Sequence, residues 1–180
     1  TPENHLRLRI GGAYLLNTTS WYNIIYTFAH EAAHAIDPCE AQFAEILPRT
    51  YKNLTSCFVK TGWVAPHRSE CGADEQVSEG FADWVATAIT AKALKEKGKD
   101  YSTKELTQSA INAARDLCEQ QSIDSLNLSV HQDPDIRIGQ IIGSSPSIRN
   151  ILGCQSTKIS MNYCKFEPST HTQALHKEKK

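Results

Sequence analysis

Apolar positions along this chain follow a helical period over its longest patterned stretches, and an alternating one near the start. Residues 6 to 16, LRLRIGGAYLL, set Leu6, Leu8 and Ile10 against Arg7 and Arg9. That alternation is the pattern of a half-buried strand, interrupted at Gly11 and Gly12. From Trp21 the period changes. Trp21, Ile24, Ile25, Phe28, Ala32 and Ile36 share one face at helical spacing. Thr18, Thr19 or Ser20 can cap that helix, and Pro38 marks its end. Shorter helices are expected around 40–47 and 50–60, then a loop holding Gly62, Pro66 and Gly72. A long helix should run from about 76 to 97, stopping at Gly98, with Val77, Phe81, Trp84, Val85 and Ala88 toward the core. The next begins at Ser102, whose hydroxyl can cap while Glu105 reaches back, and runs to about 120. Ser145-Pro146 opens a short last helix that Gly153 closes. The pattern predicts an α+β, predominantly helical fold with a short N-terminal strand region. It forms a single domain over 1–168, followed by a flexible tail over 169–180.

Composition narrows the class of partner. A chain of 180 residues, 40% hydrophobic and 22% charged, suits one folded domain with its own core. A formal net charge of -1 gives no electrostatic reason to expect nucleic acid or an anionic membrane. No apolar run approaches membrane-spanning length. The chain starts at Thr1 without an initiator Met, so a mature or trimmed chain is expected. Six cysteines, at 39, 57, 71, 118, 154 and 164, contain no C-x-x-C pair. An even, scattered set favours disulfides and a secreted location, extracellular or periplasmic, over buried cytosolic thiols. The sequons at Asn17, Asn53 and Asn127 agree with that location.

The candidate chemistry sits in the first long helix. Residues 28 to 38 read FAHEAAHAIDP, with His30 and His34 bracketing Glu31 as H-E-x-x-H. Positions four apart on a helix lie one turn above the other, so the two imidazoles can bind one ion. Glu31, displaced by one residue, reaches over the open side, where a carboxylate can act as general base in metal-assisted hydrolysis. Zinc needs a third protein ligand, and the stretch SEGFADW offers Glu79 and Asp83, again four apart. Read alone, those two are a solvated acidic face. Beside His30 and His34, Glu79 is the third ligand and Asp83 accepts the free N–H of a ligand histidine.

These motifs resemble those of the neprilysin family of gluzincin zinc metallopeptidases. HEAAHAID is similar to the family's H-E-x-x-H-x-x-D, which implies that Asp37 also supports a ligand histidine. EGFAD is similar to E-x-x-x-D, and HQDPDIR at 131–137 to a histidine followed six residues later by an arginine. The resemblance implies that His131 stabilises the oxyanion, that Arg137 orients substrate, and that Asp83 belongs to the catalytic set. IRNILGC and MNYC are similar to the family's closing pattern, and Cys57 and Cys118 fall where the family keeps cysteines. The resemblance covers about residues 22 to 166 and implies a thermolysin/neprilysin-like catalytic domain, a Cys57–Cys164 disulfide and cleavage before hydrophobic residues.

The sequence departs from the family in several places. It has no room for the large helical domain that roofs the family's active site. The Asn-Ala-aromatic-Tyr edge motif is not present, and Gly12-Ala13-Tyr14 is its only echo. Ala33 stands for a Thr, and Phe166 stands near the place of a terminal Trp. A partner chain or a missing N-terminal region would then complete the cleft. The function expected is a zinc metallopeptidase that holds one Zn2+ and acts on a peptide or protein substrate. Its alternative is a non-catalytic zinc-containing module that binds peptides or proteins. A third reading is a disulfide-rich structural domain without metal.

Overall fold

The computed structural model describes residues 21–38, 49–63, 75–97, 102, 104–105, 107–108, 111–112, 132, 135–154 and 163–165. They form helices α1 (Trp21–His34), α2 (Arg49–Thr61) and α3 (Glu75–Lys97), a π-helix (Asp135–Ile142) and the short α4 (Pro146–Ile151). The described part is predominantly helical, and no strand occurs within it. The strand expected at 6–16, the helix at 40–47 and the tail at 169–180 lie outside the described residues, as does His131. None of the helices is long and apolar enough to cross a membrane.

Helix α3 is the axis of the fold. Its buried residues Val77, Phe81, Ala82, Ala86, Ala91 and Leu94 point around much of its circumference, as expected for a helix enclosed by others. Helix α1 lies antiparallel along it. Tyr22 packs with Ala91 and Leu94, Tyr26 and Ala29 with Ala86, and Ala33 with Phe81 and Ala82. The same antiparallel register sets His30 and His34 beside the first turns of α3.

The buried stripe of α1 differs from the sequence expectation. Ala32 and Ile36 are exposed, while Tyr22, Asn23, Tyr26, Ala29, His30 and Ala33 are buried. The helix is rotated because polar Asn23 and His30 face inward, and it ends at His34 before Ile36 is reached. Ala88 on α3 is likewise exposed rather than in the core.

Local hydrogen bonds mark the helix ends at Gly62, Ser102, Ser145 and Gly153, of which the last three are expected from the sequence. Gly62 has φ +74 and closes α2, with Gly62 N–H donating to Val59 O and Trp63 N–H to Phe58 O. This six-to-one and five-to-two pair needs a left-handed residue, which glycine adopts without a Cβ penalty. The Trp63 ring then stacks on Phe58 at 5.3 Å, and both are buried. Gly153 closes α4 in the same way at φ +65, and the Ser145 side chain accepts from Ile148 N–H at its start. Ser102 accepts from Glu105 N–H while its own N–H donates back to Glu105 Oε2, the reciprocal cap that the spacing predicts.

A disulfide joins Cys57 on α2 to Cys164 near the end of the chain, the pairing the resemblance implies. Trp84 on α3 fixes the same segment, its indole Nε1–H donating to Cys164 O at 2.9 Å. The C-terminal segment is thus tied to two helices of the core that carries the candidate site.

Candidate metal centre

The antiparallel packing of α1 on α3 brings His30, His34 and Glu79 together. One ligand atom from each lies within 4.8 Å of the others. The two Nε2 atoms are 3.3 Å apart. His30 Nε2 lies 3.0 Å from Glu79 Oε2, and His34 Nε2 lies 3.6 Å from Glu79 Oε1. Zinc held tetrahedrally at about 2.0–2.1 Å sets neighbouring donor atoms about 3.3 Å apart. The Nε2–Nε2 separation matches that edge length, and the Glu79 carboxylate meets the pair with one oxygen toward each ring.

The partner of the other ring nitrogen fixes the acceptor atom of His30 and is compatible with the same arrangement at His34. His30 Nδ1 donates to Asp83 Oδ1 at 2.9 Å, so its neutral ring presents a lone pair at Nε2. His34 Nδ1 lies 3.2 Å from Ser78 Oγ, which can accept its proton in the same way. Two imidazole lone pairs and a carboxylate then point at one place. Such a cluster is repulsive unless a cation or a proton lies among its members, so the donor set fits a divalent metal. In the metal-free protein a proton does this work. Burial pushes the His30 imidazole down, but hydrogen bonds and charge from Asp83 and Glu79 outweigh it and raise it to about 9.

Asp83 holds the centre together from behind. It is fully buried and receives Tyr26 hydroxyl at 2.9 Å and His30 Nδ1 on Oδ1. Arg137 Nε donates to Oδ2 at 2.6 Å, and Arg137 Nη2 to Oδ1 at 2.8 Å. Burial pushes the Asp83 carboxyl up, but Arg137 and His30 outweigh that and hold it below its ordinary range. Burial, then the charge of Asp83, pushes the Tyr26 phenol well above its ordinary value. Asp83 is therefore an anion fixed by four donors, and what it does is orient His30.

Arg137 comes from the π-helix. The same face carries Ile141, which is wholly buried in the core, so the arginine and its anchor enter side by side. Arg137 is itself 4% exposed. The residue to which the resemblance gives substrate has its guanidinium turned onto Asp83.

The remaining expected residues fall around this cluster. Glu31 is exposed on α1, one residue after the buried His30. Asp37 is buried and accepts from Tyr51 hydroxyl at 2.7 Å, which ties the end of α1 to α2. His131 lies outside the described residues, but its neighbour Gln132 is buried and its side-chain amide donates to Gln76 O, three residues before Glu79.

Three contributors escape a reading of the sequence: Tyr26, Ser78 and Tyr51. Tyr26 had a signal, since it stands four residues before His30 and shares its helix face. Ser78 precedes Glu79 directly, and nothing in its local pattern marks it. The chain matches no protein-family model, no curated protein and no solved structure.

Proposed function

We propose that this chain is a zinc-dependent peptidase domain of the neprilysin-like gluzincin type. The observation that carries the reading is the convergence of His30 Nε2, His34 Nε2 and the Glu79 carboxylate within 4.8 Å, with Asp83 fixing the first imidazole from behind. A zinc ion held there supplies the Lewis acid that polarises a scissile carbonyl and activates a water.

The chain's own residues do the rest. Glu31 accepts a proton from the attacking water and returns it to the leaving amine. Its exposure supports this role, because an exposed carboxylate can meet substrate and exchange protons with water. His131, by the resemblance, donates to the developing oxyanion. Arg137 holds Asp83, and Asp83 holds His30. The substrate is a peptide or protein, and a partner chain or further N-terminal chain completes the cleft. The Cys57–Cys164 bridge supports a secreted location.

The test is a peptide-library digest by the wild-type chain and by Glu31→Gln, with zinc content measured on both. Chelator-sensitive cleavage by the wild type, lost in the variant with zinc retained, is the expected result. Undiminished turnover by the variant would overturn the role of Glu31. Zinc binding without any cleavage by the wild type would point to a binding module instead.

A further inference from the structure

The structure assigns Ser78 as the positioning residue of His34, a role that rests on the zinc reading above. Helix α3 grips each ligand histidine at both ring nitrogens. For His30 the two grips are Glu79 at Nε2 and Asp83 at Nδ1. For His34 they are Glu79 at Nε2, 3.6 Å away, and Ser78 Oγ at Nδ1, 3.2 Å away. Ser78 and Glu79 are consecutive, so one turn of α3 supplies both.

The resemblance makes Asp37 the support of a ligand histidine. Its Oδ1 accepts from Tyr51 hydroxyl in a buried contact across to α2. Ser78 is 8% exposed and stands at the nitrogen itself. With Nε2 turned to the centre, the neutral His34 ring carries its proton on Nδ1 and donates it to the serine oxygen. The two ligands are therefore backed unequally, His30 by an anion locked to Arg137 and His34 by a neutral hydroxyl. His34 is also the more exposed ring, with 20% of its side chain accessible against 7% for His30. Its orientation therefore draws on the serine hydroxyl at Nδ1.

Ser78→Ala and Ser78→Thr separate this role from packing. Alanine is the most favourable residue in a helix interior and leaves the site small. Threonine keeps an acceptor oxygen. Zinc affinity is measured on the purified chain by competition with a chromogenic chelator, beside the wild type. Loss of a partner behind a ligand histidine lowers metal affinity about 10–100-fold, and a neutral partner belongs at the lower end. Ser78→Ala should therefore bind zinc about tenfold more weakly, with the His34 Nδ1–H proton resonance of the loaded protein shifted upfield. Ser78→Thr should restore both readouts. Wild-type affinity and an unmoved resonance in Ser78→Ala would overturn the assignment while leaving the zinc centre standing. A wild-type chain that takes up no zinc would overturn both.

Discussion

His30 Nδ1 donates to Asp83 Oδ1 over 2.9 Å, although the two residues stand 53 positions apart in the chain. This bond fixes the tautomer of His30 and so aims Nε2 at His34 and Glu79. It also joins the metal centre to the buried Asp83–Arg137 pair. Replacing Asp83 by Asn keeps the shape but removes the charge, and leaves Arg137 buried without its anion. Breaking a buried pair from one side costs about 3–5 kcal/mol. Urea unfolding of Asp83→Asn in the presence of chelator should register that loss, and zinc affinity should fall about 10–100-fold. A variant as stable as the wild type would mean that the pair contributes nothing.

Tyr26→Phe tests the other donor on the same oxygen. The ring stays in its pocket against Ala86 and only the hydroxyl is lost. A hydrogen bond to a charged acceptor contributes about 1.5–3 kcal/mol. The metal-free variant should lose stability in that range by urea unfolding, with an unchanged dependence on denaturant concentration. No loss at all would place the hydroxyl outside the network.

The metal-free protein should show two pH limbs of opposite origin. Asp83 is held below its ordinary value of 3.8, so its stabilising contribution is complete above 3.8 and is lost as the pH falls through the lower folded value. His30 is raised from 6.5 to about 9, so its contribution is complete below 6.5 and is lost as the pH rises through about 9. Between 3.8 and 6.5 both contributions are present. Zinc must displace the His30 proton, so its affinity should rise with pH up to about 9. Urea unfolding across pH 3 to pH 10 with chelator, beside zinc competition at each pH, checks both statements. A flat alkaline limb without metal would contradict the His30 environment.

Removing the Cys57–Cys164 bridge should be costly because it closes a long loop. The two cysteines are 107 residues apart. A loop near 100 residues corresponds to about 4.7 kcal/mol of denatured-state entropy, and engineered losses span about 2–5 kcal/mol. The paired Cys57→Ser and Cys164→Ser variant should unfold at correspondingly lower urea. An unchanged midpoint would show that the bridge does not form in the native chain.

The sequence carries the metal triangle more clearly than the fold around it. His30, His34 and Glu79 are legible because ligand spacing on a helix is a local property, and α1 and α3 are long enough to be read. The caps at Ser102, Ser145 and Gly153 are legible for the same reason, since each is set by residues a few positions apart. The buried stripe of α1 is not. Asn23 and His30 are polar, so a hydrophobic pattern turns them outward, whereas α3 and the π-helix turn His30 inward by satisfying it. Nor is the π-helix legible, since the apolar Ile136, Ile138, Ile141 and Ile142 fit no single helical or strand period. The destination of Arg137 depends on that wide turn, and the partner of His34 depends on the register between α1 and α3. Both are long-range facts that no short pattern contains.

The most direct measurement is zinc X-ray absorption on the purified chain, with metal content determined on the same sample. One zinc per chain, four nitrogen or oxygen ligands at about 2.0–2.1 Å and the multiple-scattering signature of two imidazoles are expected. Sulfur at about 2.3 Å, a different resident metal, or no metal retained would contradict a centre built from His30, His34 and Glu79.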